Sequence, residues 1–193
     1  MKRSSHLRLT LMAATLPAAL AGCDTGPATG TVLRSVDDCP TVKDVPTAQC
    51  QAAYQTALAE HQRLAPRFHD WNDCYQQFGA CSPVVNDGVV SYYVPPMAGF
   101  LLGYAAARRN DDRGYAYSYS GHSIPLYRDR SGDFYKPSGD YVSGRSGTVK
   151  GNAGHATAPT RAITVSRSGF GSSSAARSSF GRGGHGGHFG HGG

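Results

Sequence analysis

Apolar positions recur at helical spacing in two neighbouring stretches of the chain. Between Ala48 and Leu64 the apolar side consists of Cys50, Tyr54, Ala57, Leu58, His61 and Leu64, the intervals of one helix face. Thr47 is placed to cap this helix, Pro46 stands just outside it, and Pro66 ends it. Asp70 then caps a shorter helix in which Trp71, Cys74, Tyr75 and Phe78 fall at i, i+3, i+4 and i+7, with Gly79 as its stop. Two amphipathic helices joined by a few residues are expected to pack as an antiparallel hairpin.

Beyond Cys81 the pattern changes. Val84-Val85 and Val89-Val90 lead into the apolar run from Met97 to Ala107, which is too short for a bilayer span of about 20 residues. Pro96 suits the first turn of a helix, and Gly99 and Gly103 form a small-xxx-small pair that permits close approach. A short apolar helix is expected here, docked on the cysteine-containing segment, lying in a membrane interface, or meeting a second copy. Ile124 to Tyr135 carries a hairpin signal turning at Arg130-Ser131-Gly132, although an isolated two-stranded hairpin is barely stable in water. From Ser143 onward too little apolar surface is available to offset chain entropy, so disorder is expected. The fold class that follows is small α: a disulfide-stapled helical hairpin, a short apolar helix, and a largely disordered Gly/Ser/Arg/His-rich tail.

The N-terminus reads as an export signal. Lys2, Arg3 and Arg8 precede an apolar run that ends at Ala21, short of a membrane span. Its close, Leu20-Ala21-Gly22-Cys23, resembles the lipobox of bacterial lipoproteins. In those proteins the Cys thiol is diacylated and the leader is cut before it. Two or three chains make a stable anchor, because each buried methylene contributes roughly 0.8 kcal/mol. The alternative is an ordinary signal peptide with an incidental Cys. Asp24 resembles the enteric signal for retention in the inner membrane, facing the periplasm, with the outer membrane as the other destination. The expected division is a leader over 1–22, a linker over 23–36 and a cysteine-rich helical hairpin over 37–83. An apolar helix over 84–109, a Tyr/Gly-rich segment over 110–142 and a tail over 143–193 complete it.

Cys39, Cys50, Cys74 and Cys81 form an even set in an exported segment, the mark of two disulfides. A four-thiolate zinc site is the rival, but such sites usually show two close Cys-x-x-Cys pairs. In an antiparallel hairpin Cys74 would lie level with about residue 61, roughly 16 Å along the helix from Cys50. That excludes their pairing, since bridged Cα atoms lie within about 7 Å. Two connectivities survive: Cys39–Cys74 with Cys50–Cys81, or Cys39–Cys50 with Cys74–Cys81. The first is favoured, because Cys81 should arrive near the start of the first helix.

Charge divides the chain. The formal total is +6, of which the leader supplies three positive charges. From Cys23 to Ala107 four basic residues face eight acidic ones; from Arg108 onward twelve basic residues face five. A basic trailing half beside a membrane suits anionic lipid headgroups or cell-wall polymers, or merely keeps a tail solvated. Nucleic acid is not an expected partner outside the cytoplasm.

Candidate chemistry is sparse. Glu60 and His61 are adjacent and point in different directions, His61 reads as a half-buried packing residue, and His69 as a loop residue beside the Asp70 cap. No Gly-x-Ser-x-Gly, phosphate loop or His-Glu-x-x-His is present. An enzyme is therefore not expected. His185, His188 and His191 recur every three residues in a Gly-rich ending, a set that could bind Zn²⁺, Cu²⁺ or Ni²⁺ weakly because a floppy tail must be ordered. Incidental histidines are the alternative.

Taken in order, the lipobox, Asp37-Asp38-Cys39, the four-cysteine segment, Ala65-Pro66, Phe78-Gly79 and the Met97-Ala98-Gly99 segment resemble the enterobacterial YgiB-like lipoproteins, an uncharacterised family. Asp133-Phe134-Tyr135 and the stretch from Thr164 to Gly171 extend the likeness over most of the chain. The Gly/His ending departs from the Ser/Thr-rich tails of that family. The resemblance implies a membrane lipoprotein of unknown function, often encoded beside an ATP-grasp, glutathionylspermidine-synthase-like protein, with no established catalytic residue. The expected role is a non-enzymatic envelope scaffold or binding module. Metal handling by the tail, or an accessory role to the ligase-like partner, are the alternatives.

Overall fold

Phe100, Leu101 and Leu102 are all fully buried. A helix docked by one stripe leaves such neighbours on different sides, whereas a strand covered on both faces buries every one. The computed structural model, which describes residues 28–109, 114–165 and Phe170, places them on a strand. In chain order the elements are β1 (Thr29–Leu33), a 3-10 helix (Val36–Thr41), α1 (Thr47–Leu64), β2 (Arg67–Phe68) and α2 (Trp71–Phe78). They continue with β3 (Ser82–Asn86), β4 (Val89–Val94), β5 (Gly99–Arg108), β6 (Tyr115–Arg128), β7 (Phe134–Tyr135) and β8 (Tyr141–Ser143). The last are β9 (Gly147–Lys150), a second 3-10 turn (Gly151–Gly154) and β10 (Thr164–Val165).

The strands form a six-stranded sheet in the order β8-β7-β6-β5-β1-β9 and a four-stranded sheet in the order β10-β2-β4-β3. One core lies under α1, where Leu33, Phe100 and Leu102 meet Cys39, Cys50, Ala53 and Ala57. Val32, Leu101, Ile124, Leu126, Phe134 and Val142 form a second core, with Ala153, Ala156 and Ala158 packed against it. A third, built from Phe68, Cys74, Phe78, Tyr127, Val165 and Phe170, joins α2 to the smaller sheet.

The small-α expectation is thus overturned. Both helices form, and α2 has the expected ends: the Asp70 carboxylate accepts from the Asn72 and Asp73 amides at 2.6 and 3.3 Å, and Gly79 is left-handed. At α1 the cap position belongs to Pro46, with no side-chain cap. The two helices do not make a hairpin core, because each lays its apolar stripe on a different set of strands. The predicted apolar helix over 84–109 is replaced by β3, β4 and β5. Gly99 and Gly103 serve close approach of layers rather than helices. A Cβ on Gly99 would strike the Leu33 carbonyl, and one on Gly103 would come within 2.7 Å of the Ala156 methyl.

The predicted linker over 23–36 contains β1, an interior strand hydrogen-bonded to β5 on one side and β9 on the other. The β6–β7 hairpin forms at the predicted turn, pairing Tyr127 with Tyr135, and is stabilised by β5 and β8 on its flanks. The disorder expected from Ser143 is corrected over residues 143–165 and at Phe170, and the rest of the predicted 143–193 tail lies outside the described residues. β9, β10 and Phe170 add small apolar contributions to cores made elsewhere, which a count of local apolar residues underestimates.

Both disulfides form, but in the local pairing: Cys39–Cys50 with Cα atoms 5.7 Å apart, and Cys74–Cys81 at 6.2 Å. The favoured long-range alternative assumed helices packed on each other. Without that packing, Cys39–Cys50 ties the first 3-10 helix to α1, and Cys74–Cys81 ties α2 to the loop before β3.

Candidate functional site

Cys23 and the histidines His185, His188 and His191 lie outside the described residues. Cys39, Cys50, Cys74 and Cys81 are bridged, which leaves them neither zinc ligands nor nucleophiles. Among the described residues no group of three or more His, Cys, Asp or Glu side chains is arranged to hold a metal ion.

Glu60 and His61 part company, as expected for adjacent helical residues. Glu60 accepts from Arg63 Nη2 at 2.6 Å on the surface. His61 turns inward, its Nδ1 3.1 Å from the Tyr127 hydroxyl. Burial pushes the imidazole below its ordinary range and the phenol above its own, and the two share one hydrogen bond whose direction is set by the imidazole tautomer. The pair is a buried tie between α1 and β6. Two other buried polar groups are also committed to structure. Ser123 donates to the Ala53 carbonyl at 2.6 Å, and Lys136 Nζ donates to the Asn152 carbonyl at 2.6 Å. Burial lowers the Lys136 ammonium, and Asp140 opposes that shift.

A cleft of about 460 Å³ opens on the α1 side of the larger sheet, between the β1–β9 pair and the loop that follows the first 3-10 helix. Alternation along the strands puts Thr31 and Thr148, a cross-strand pair, on its floor with Tyr104 beside them. Thr31 Oγ1 lies 3.4 Å from the Tyr104 hydroxyl. Arg34, Asp38, Lys43 and Asp44 line the rim. The Asp38 carboxylate accepts from the Arg34 amide at 2.9 Å, from Nε at 3.2 Å and from Nη2 at 3.1 Å. These bonds hold its carboxyl below the usual carboxylate range.

The chemistry of this cleft is hydroxyl groups over a floor, with the Arg34–Asp38 ion pair and one further charge of each sign, Lys43 and Asp44, at the rim. Such a lining offers donors and acceptors without a net field, which suits a neutral or zwitterionic polar ligand better than an anion. Nucleophile and base are not juxtaposed among its lining residues. The sequence reading missed it because its walls come from residues 31–44, 104 and 146–148, which only the sheet brings together. A smaller cleft of about 280 Å³ holds Glu60, His122 and Ser123, but the Ser123 hydroxyl is already committed.

Two sheets, two helices and two local disulfides around a polar cleft define a small cystine-stapled β-rich domain. The family described as "Protein of unknown function (DUF1190)" matches residues 28–181, and the chain belongs to that family. A UPF0441 protein of Klebsiella pneumoniae (strain ATCC 700721 / MGH 78578) is 30% identical over 194 residues, covering 92% of this chain and 85% of its own length. A UPF0441 protein of Serratia proteamaculans (strain 568) is 30% identical over 182 residues, covering 84% and 80%. No solved structure matches.

Proposed function

We propose that the protein is a lipid-anchored envelope lipoprotein that works as a non-enzymatic binding module. The observation that carries this reading is the pair of closed disulfides with Cys39, Cys50 and Cys74 fully buried. A core built around buried half-cystines belongs in an oxidising compartment. The export leader and Cys23 supply the route and the anchor. Among the described residues no helix is long and apolar enough to cross a membrane, so acyl chains are the proposed means of attachment.

Phe170 packs against Tyr127, with ring centroids 6.1 Å apart. Tyr127 lies at one end of β6, whereas β1 begins level with Tyr119 toward the other end. Phe170, the last described residue, therefore sits away from the start of β1, and cell-wall polymer is the proposed partner of the basic trailing half. The cleft would take a hydroxyl-rich part of such a polymer.

Two experiments test this reading. Cys23→Ser should abolish acylation of the mature N-terminus and release the protein from sedimenting membranes. Unchanged sedimentation would end the lipoprotein reading. Isolated cell-wall sacculi should bring down the wild-type protein, and Thr148→Arg, which fills the cleft, should reduce that recovery. Equal recovery of both would remove the cleft as the binding element.

A further inference from the structure

The larger sheet carries a projection that its core does not need. Tyr104 on β5 is paired on one side with Thr29, the first residue of β1, and on the other with Tyr119 of β6. Past that level β5 and β6 pair only with each other: Ala105 with Ser118, Ala106 with Tyr117, Ala107 with Ala116, Arg108 with Tyr115. Four residue levels carry this ribbon roughly 13 Å beyond the end of β1.

Opposed residues share a face, and faces alternate. Tyr104, Ala106, Tyr115, Tyr117 and Tyr119 therefore line one side of the ribbon. Tyr104 and Tyr119, at its base, pack against the core under α1. Tyr117 is 38% exposed. Ala105, Ala107 and Ala116 on the reverse are exposed as well. A two-stranded ribbon is marginal in water by itself, so this one needs an environment that favours its side chains.

The direction of β1 says which environment that is. Because β1 runs antiparallel to β5, its first residue, Thr29, is the end of β1 nearest the projection. Cys23 is six residues upstream, a reach of up to roughly 20 Å. The ribbon projects less than that, so a lipid on Cys23 would be within reach of the plane that the ribbon's tyrosines would meet.

We propose that the β5–β6 projection is a membrane-contact element that lays Tyr115 and Tyr117 at the headgroup level of the bilayer to which Cys23 is anchored. The proposal rests on the lipid-anchor reading above. Tyrosine is the residue type suited to that depth, with an apolar ring and a hydroxyl that keeps its polar partners. The open edges of a two-stranded ribbon exclude it from the hydrocarbon, where unpaired backbone groups find no water, but not from the interface. Contact there orients the domain. Trp71 is exposed and stacks on Tyr75 of α2, the helix whose Cys74 and Phe78 join the cluster around Tyr127, ten residues along β6 from Tyr117.

The test places an indole at the ribbon. The protein is expressed from its full gene as wild type, with Trp71 as its single tryptophan, and as Trp71→Phe/Tyr117→Trp. Trp71→Phe/Tyr115→Trp serves as a second probe if the first fails to fold. Each is reconstituted into vesicles of zwitterionic and anionic phospholipid with brominated acyl chains. The expected result is a blue shift and loss of emission for the indole at position 117, with Trp71 unaffected. An anchored protein whose position-117 indole is neither shifted nor quenched overturns the proposal. A shift without quenching also overturns it, because the ribbon would then be covered by protein. The mass of the N-terminal peptide reports separately on acylation. If Cys23 carries no lipid, the anchor reading fails alone. The thiol of Cys23, the one cysteine outside the two disulfides, is then coupled to a maleimide phospholipid and the same quenching decides the ribbon.

Discussion

His61 Nδ1 and the Tyr127 hydroxyl, 3.1 Å apart, join α1 to β6 where the core under the helix meets the aromatic cluster of Tyr127, Phe78 and Phe170. Burial lowers the His61 value, so the unfolded chain takes up a proton more readily than the folded one. Stability from this site is complete above about pH 6.5 and is lost as pH falls through the folded value. The urea midpoint should drop between pH 7 and pH 5, and His61→Gln should flatten that drop. Asp38 is depressed too, but its contribution is lost only at more acidic pH, as a carboxylate. Identical profiles for the variant and the wild type would dismiss His61 as the group responsible.

Removing the hydroxyl should be costly in itself. Tyr127→Phe leaves the half-buried His61 Nδ1 without its hydrogen-bond partner, a loss of about 1–3 kcal/mol. Denaturant unfolding at pH 8 measures this apart from titration of the imidazole. A loss below the error of that measurement would mean that water replaces the hydroxyl.

Alanine at two glycines distinguishes strand from helix by sign. In an exposed helix Gly→Ala gains about 1 kcal/mol. In β5, Gly99→Ala drives a methyl into the Leu33 carbonyl, and Gly103→Ala brings one against Ala156. Overpacking of this kind costs about 1–3 kcal/mol. Both variants should melt below the wild type.

Phe170 tests whether the folded domain extends past residue 165. Gln77 clamps its backbone, accepting from the Phe170 amide at 2.8 Å and donating to its carbonyl at 2.5 Å. The ring is 5% exposed and meets Phe78, Tyr127 and Tyr135. Phe170→Ala should cost about 3–5 kcal/mol, whereas the same change in a disordered tail would cost nothing measurable.

Peptide mapping without reduction should recover Cys39 linked to Cys50 and Cys74 linked to Cys81. Each bridge closes a short loop, worth about 2–3 kcal/mol through the unfolded chain. The Cys74→Ala/Cys81→Ala variant should lose that amount in thermal unfolding. Recovery of a Cys39–Cys74 peptide would contradict the arrangement of both helices.

Several elements are set by neighbouring residues alone. α2 is set by the Asp70 cap, the Trp71-to-Phe78 stripe and the Gly79 stop, all within ten residues. The β6–β7 turn and the presence of two disulfides were legible for the same reason. Asp87-Gly88 was a readable signal that went unused: both residues have positive φ and join β3 to β4, as the flanking valines and that dipeptide imply. Periodicity could not settle Phe100-Leu101-Leu102. An unbroken apolar run fits a buried helix as well as a strand buried on both faces, and Pro96 tilted the choice toward helix.

By itself the sequence determined the two helices, the half-cystines and the division of charge, because each is written in neighbouring residues or in composition. Only the tertiary structure decided that Thr29 lies between Tyr104 and Lys150, that Arg67 pairs with Thr164, and that Gln77 holds Phe170. Those partners are separated by some seventy residues or more, and strand pairing is satisfied by backbone groups that every residue carries. Their choice depends on which faces become buried together, and so the cleft, the disulfide pairing and the tyrosine ribbon came into view only with the assembled sheets.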